Sequence, residues 1–154
     1  MQKLYSNEVP SKVEQARNGY KVNYNIRETT AEELLELWKE SGRSEEGDVP
    51  TKDFADENKY VYHSVSLPMG QWNYGGIVNA IIRDKYKVDE MESITNNMAA
   101  VNAAFMQELV SGGIVEAIKY LKESADSEDT EIFKAMQEWR AMAKREAKLI
   151  LNIK

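Results

Sequence analysis

Apolar and polar side chains alternate over residues 20–27 of the chain. The even positions hold Tyr, Val, Tyr and Ile, and the odd positions hold Lys, Asn, Asn and Arg. Because successive side chains of a strand point to opposite faces of a sheet, this alternation predicts a β-strand with one buried and one solvated face. A second run rich in β-branched and aromatic residues, at 59–67, predicts a strand that returns to the first.

The dipeptide Asn18-Gly19 stands immediately before the alternating run. An Asn-Gly pair favours a two-residue hairpin turn, because both residues tolerate positive φ. We therefore predict a hairpin over residues 12–27. A turn centred on Asn18-Gly19 sets its register, with Arg17 opposite Tyr20 and Val13 opposite Tyr24.

The segment between the two predicted strands, residues 28–58, forms an insertion with a helix and a loop. Thr30 and Glu33 have the spacing of a capping box, and a stripe of three Leu and one Trp follows them. Gly42 ends this helix. Residues 43–58 are acidic and polar and contain Gly47 and Pro50, which predicts a mobile loop.

Beyond residue 70 the apolar residues recur every three and four positions, which indicates helices. A capping box of Asp89 and Glu92 opens the longest predicted helix, and the pair Gly112-Gly113 ends it. The other predicted helices lie at 74–86, 114–123 and 130–151.

The order of these elements predicts an α+β fold, in which a small antiparallel sheet of three or four strands precedes a helical C-terminal half. We divide the chain into a β-rich region, 1–70, and a helical region, 71–154. A small sheet alone would leave one face uncovered, so we expect the two regions to form one structural unit.

Composition limits the chemistry of the chain. The 154 residues include no cysteine, which excludes disulfides, thiolate zinc sites and cysteine nucleophiles. A net charge of −6 works against nucleic-acid binding, because phosphate repels an acidic surface. The polar N-terminus and the lack of a long apolar run predict neither a signal peptide nor a membrane span. We therefore expect a protein that is made and kept in a cytoplasm.

Candidate catalytic residues are few. His63 is the only histidine, and its position in a predicted strand is typical of a half-buried structural side chain. Asp89, Glu90 and Glu92 crowd one helix start, where the helix dipole already favours acids. Gly75-Gly76 matches no phosphate-binding motif and indicates close packing. We predict no catalytic, cofactor or metal site and a protein that is not an enzyme; catalysis by acidic residues alone stays open.

Aromatic side chains are concentrated in or beside the β-rich region. Tyrosine and tryptophan are frequent at protein interfaces, because they supply contact area with few rotatable bonds. A sheet core under a helical layer would use the same residues, and the helical stripes suit either a core or an oligomer. The candidate partner-contact residues are Tyr60, Tyr62, Trp72, Tyr74 and Trp139.

Three segments carry a resemblance to a known group of proteins. Residues 74–97 (YGGIVNAIIRDKYKVDEMESITNN), 3–26 (KLYSNEVPSKVEQARNGYKVNYNI) and 133–148 (FKAMQEWRAMAKREAK) resemble segments of uncharacterised proteins of bacteriophages and prophages of anaerobic gut bacteria. Those proteins have a shorter segment where this chain has residues 43–58. Their motifs are structural, so no site residue is carried over.

The resemblance implies a structural protein of a phage virion or tail. Its partners would be further copies of itself or other virion subunits. It would occupy the host cytoplasm during assembly and then the virion. The alternative is an intracellular assembly chaperone or adaptor for a phage structural protein.

Overall fold

The computed structural model describes residues 1–43 and 49–153. It confirms the predicted α+β fold: within those residues, a four-stranded antiparallel sheet precedes a helical C-terminal half, with six α-helices in all. The sheet order is β1-β4-β3-β2. The elements in chain order are β1 (Leu4–Ser6), β2 (Val13–Ala16), β3 (Gly19–Glu28), α1 (Ala31–Glu40), α2 (Lys52–Glu57), β4 (Tyr60–Pro68), α3 (Tyr74–Lys85), α4 (Val88–Ser111), α5 (Gly113–Ala125) and α6 (Glu128–Leu151).

The predicted hairpin forms, but its predicted register is wrong. Ala16 pairs with Gly19 and Val13 pairs with Val22, so the turn residues are Arg17 and Asn18. Gly19 lies inside β3, where a Cβ atom would collide with the carbonyl oxygen of Leu67 in β4. The glycine is therefore needed for the close approach of two strands and not for the turn.

One face of β3 is buried as predicted, with Val22 and Tyr24 fully buried. The prediction of a solvated opposite face is wrong at Asn23, which is also fully buried. Its Nδ2 donates to the carbonyl oxygen of Ser11 at 2.8 Å and to Oε1 of Glu14 at 2.7 Å. Ser11, which precedes β2, and Glu14 of β2 thus satisfy the amide donors of Asn23.

Two elements lie where no element was predicted. Strand β1 extends the sheet by pairing with β4 over Leu4–Ser6. Helix α2 occupies residues 52–57 of the predicted loop and begins at Thr51, whose hydroxyl accepts from the Phe54 backbone N–H at 3.3 Å. Phe54 packs edge-to-face on Trp38, with ring centroids 4.9 Å apart, and this contact holds the helix. Residues 44–48 of that loop, including Gly47, lie outside the described residues.

The helices begin and end close to the predicted positions, with one error in capping. The capping box of Thr30 and Glu33 is confirmed. The predicted box of Asp89 and Glu92 is wrong, because α4 begins earlier and the Glu90 carboxylate accepts from the Lys87 backbone N–H at 3.3 Å. The predicted break after α4 is confirmed.

The chain divides into two compact units, residues 1–81 with 146–154 and residues 82–145. Trp38, Tyr24 and Leu67 are among the largest fully buried side chains of the first unit. In the second unit, Tyr86, Ile94 and Met136 form a cluster, against which three partly buried side chains pack: Met91, Phe133 and Trp139. The division of the chain at residue 70 stays a prediction.

None of the helices within residues 1–43 and 49–153 combines the length and the apolar character that crossing a membrane requires.

Candidate functional site

The Glu33 carboxylate, on α1 in the first unit, accepts hydrogen bonds from Lys3, Arg27 and Thr30. Arg27, near the end of β3, donates to it through both terminal nitrogens: Nη1 to Oε2 and Nη2 to Oε1, each at 2.7 Å. Lys3 Nζ donates to Oε1 at 2.7 Å, and the Thr30 backbone N–H donates to Oε2 at 3.3 Å. Two cationic side chains and the backbone N–H of the helix N-cap residue thus donate to one buried carboxylate.

These contacts favour the ionised form of Glu33. The hydrogen bonds from Arg27, helped by those from Lys3 and Thr30, outweigh desolvation and hold the pKa of the Glu33 carboxyl well below its usual range. The same carboxylate raises the pKa values of Lys3 and Arg27. Because both oxygens already accept strong hydrogen bonds, this carboxylate suits a structural clamp better than a general base. The sequence indicated the helix cap but gave no sign of Arg27 or Lys3.

The predicted partner-contact residues lie in three places. Tyr60 and Tyr62 are half-buried on β4, where alternation puts them on one face of the sheet. They pair with Ser6 and Leu4 of β1. The Lys59 ammonium lies 5.6 Å from the Tyr60 ring centroid, and β1 runs alongside both residues.

Trp72 and Tyr74 flank the start of α3, also within the first unit. The Trp72 indole stacks on Tyr20 with ring centroids 4.3 Å apart, so one face of the indole is occupied within the chain. Tyr20, Leu67 and Pro68 belong to the lining of a cleft of about 380 Å³ beside the hairpin turn. The structure therefore places Trp72 beside Tyr20, which was not among the predicted contact residues.

Trp139 belongs to the second unit, on α6. It packs against the buried Tyr86–Ile94–Met136 cluster and is partly buried. Lys85 Nζ lies 4.5 Å from the Trp139 ring and 5.1 Å from the Tyr86 ring, which is within cation–π range. A core role accounts for these contacts, and the assignment of Trp139 to a partner surface stays a prediction.

The remaining candidates for chemistry are held in structural contacts. His63 is buried, and its Nδ1 lies 3.0 Å from the carbonyl oxygen of Gln2. The Gly76 backbone N–H donates to Oδ1 of Asn73 at 2.9 Å, and a Cβ atom at Gly76 would collide with the carbonyl oxygen of Gln71. This geometry agrees with close packing at Gly76, whereas a Cβ atom at Gly75 would meet only Oδ1 of Asn73, at 3.5 Å. Within the described residues, His, Cys, Asp and Glu form no group of three or more that could hold a metal ion.

A cleft of about 480 Å³ lies between α4 and α6 in the second unit. Its lining mixes apolar side chains with Glu92 and Arg140. This mixture of side chains does not indicate a particular ligand.

Helix α5 exposes four large aliphatic residues. It packs against α4 and buries Ala117. Ile114, Val115, Ile118 and Leu121, which we call the α5 ridge, are between 47% and 76% exposed. The sequence indicated the helix, but a helical pattern does not show which part of a wide apolar arc a neighbouring helix covers.

Comparison of the chain with protein-family models, with curated proteins and with solved structures finds no match.

Proposed function

We propose that this chain is a non-enzymatic structural protein of a bacteriophage virion or tail and that it acts through contacts with other proteins. The observation that carries the proposal is the α5 ridge. The link to a phage particle is supported by the resemblance of residues 3–26, 74–97 and 133–148 to segments of phage and prophage proteins.

The size of the α5 ridge supports a binding role. Its four aliphatic side chains expose roughly 450 Å² together, which is the size of the largest apolar patch on a typical monomer, and such a patch is often functional. Covering it would contribute roughly 11 kcal/mol before the entropy of association is subtracted, at about 25 cal/mol per Å². A protein partner that covers the ridge would gain this free energy of burial.

The mode of contact follows from the side chains. A ridge without charged groups is recognised by shape and apolar area, so its partner must offer a complementary apolar groove or helix face. The overall charge of −6 gives the rest of the surface little affinity for nucleic acid. Together these features favour a subunit that is positioned by other subunits.

The test is incorporation into particles of the phage that encodes the chain. Particles are purified by density gradient, and the chain is quantified by mass spectrometry. We expect it in mature particles, and we expect Ile118→Lys to reduce its incorporation by about tenfold or more, which is equivalent to at least about 1.4 kcal/mol. Leu149→Lys is the matched control, because Leu149 is an exposed helical leucine outside the ridge.

Two outcomes would count against this function. If the chain is present in assembly intermediates and absent from mature particles, it is an assembly chaperone or adaptor. If it is absent from both, the proposal is wrong.

A further inference from the structure

We infer that the α5 ridge is covered by the α5 ridge of a second copy of this chain, in an antiparallel helix pair. The inference rests on the proposed function for the role of the ridge as a contact surface and goes beyond it by naming the occupant. Three observations on α5 carry it: the spacing of the ridge residues, the area they expose and the charge of the helix.

The spacing makes the ridge complementary to itself. Ile114, Ile118, Leu121 and Ala125 follow one another at intervals of four, three and four residues, which is the spacing of a helix-pairing seam. A two-fold axis midway between residues 119 and 120 would place Ile118 opposite Leu121 of the second copy. The same axis would place Ile114 opposite Ala125. Every seam position then meets an apolar side chain, and Val115 covers the flank.

The exposed area matches what a dimer of this kind needs. A standard interface takes about 800 Å² from each partner, of which about 56–65% is apolar, so each side supplies roughly 450–520 Å² of apolar surface. The ridge exposes about 450 Å², so complete burial of its four residues would reach the lower limit of that range. One ridge therefore provides the apolar part of one half of such an interface.

The charge of α5 permits two copies to meet there. Two chains of net charge −6 repel each other over most of their surfaces. Helix α5 carries two acids, Glu116 and Glu123, and two lysines, Lys119 and Lys122, so it has no net charge. By contrast, the first turn of α6 carries three acidic residues. Two copies that meet through α5 therefore bring together surfaces without net charge, which repel each other little.

The test is the mass of the full chain in solution, measured by light scattering from about 1 to about 200 μM, a range over which a reversible dimer changes population. We expect the wild-type mass to rise toward twice 17.6 kDa with concentration. The double substitution Ile118→Lys with Leu121→Lys should raise the dimer Kd by at least about tenfold, because each copy would bring two unpaired ammonium groups into an apolar contact. Leu149→Lys should dimerise as the wild type does.

A wild-type chain that stays monomeric throughout this range would overturn the inference. So would a ridge variant that dimerises normally. Monomeric wild type in solution, together with incorporation into particles, would leave the proposed function intact and identify another subunit as the occupant. A chain that dimerises in solution but is absent from particles would support the inferred helix pair and count against the proposed function.

A cross-linking experiment tests the antiparallel arrangement without relying on a destabilised variant. The chain has no cysteine, so introduced thiols have no native partner. A chain with Ile118→Cys, mixed with a chain with Leu121→Cys, should form a disulfide-linked dimer faster on mild oxidation than either chain alone. Leu149→Cys replaces one partner in the control mixture. Equal rates in all mixtures would contradict the arrangement.

Discussion

The Glu33 clamp makes a quantitative prediction about stability. Substituting Glu33→Gln retains the shape of the side chain and its helix-capping oxygen but removes the charge that Arg27 and Lys3 share. The positive charges then lose their common counter-ion, while the side chain stays at a buried position. We expect the folded state to lose stability for this electrostatic reason.

The magnitude follows from the exposure of the three side chains. Hydrogen bonds to a charged group contribute about 1.5–3 kcal/mol when they are well shielded. Here the side chains of Lys3 and Arg27 are 44% and 43% exposed, so water replaces part of what they lose. The removed desolvation penalty of the carboxylate offsets a further part. We therefore expect Glu33→Gln to lower the free energy of unfolding by about 2 kcal/mol at pH 7.

Urea denaturation followed by circular dichroism measures this change. With a slope of about 1–3 kcal/mol per molar urea, the midpoint should fall by about 1 M. Glu32→Gln is the matched control, because Glu32 lies in the same first turn of α1 and is exposed. It should change stability by less than about 0.5 kcal/mol.

The dependence on pH identifies the cause. The folded-state pKa of Glu33 lies below its ordinary value of 4.5, so its stabilisation is present above that pH and is lost as the pH falls through the folded-state pKa. The difference between wild type and Glu33→Gln should therefore shrink progressively below about pH 4.5. A difference that stays constant between pH 7 and pH 3, or that is no larger than that of Glu32→Gln, would refute the electrostatic explanation.

Two further substitutions test the packing of the first unit. Gly19→Ala should lower the free energy of unfolding by about 1–3 kcal/mol, because the added methyl group would meet the Leu67 carbonyl oxygen. Gly70→Ala is the control in the same urea assay. It should have little effect, because a Cβ atom there meets nothing within 4 Å among the described residues. Phe54→Ala should lower the free energy of unfolding by about 3 kcal/mol, because it removes the contact with Trp38. Hydrogen exchange should show the largest loss of protection in residues 52–57. Unchanged protection in those residues would mean that Phe54 does not hold α2 in place.

Local patterns were sufficient for the elements that carry them. The alternation around Val22 and the apolar run of α3 both predicted the correct element, because the first pattern extends over eight residues and the second over the twelve residues of α3. Helix α2 has only six residues and a single buried side chain, Phe54. A segment that short shows no periodicity, so its acidic composition predicted a loop instead.

Features that depend on distant residues could not be predicted locally. The hairpin register depends on Gly19 fitting against Leu67, which lies 48 positions further along the chain. The hydrogen bonds of the buried Asn23 amide depend on Ser11 and Glu14, which lie 12 and 9 positions earlier in the chain. The α5 ridge is a third case, because the burial of Ala117 and the exposure of Ile118 depend on tertiary packing, including that of α5 on α4.

Strand β1 has a consequence for solubility. It pairs with one edge of β4, a nine-residue strand. Without β1, the peptide groups on that edge would be open to pairing with strands of other molecules. Only three register pairs join β1 to β4, and Lys3 fastens the adjoining backbone to Glu33. We therefore expect loss of this partly buried ion pair to favour intermolecular strand exchange and precipitation at high concentration.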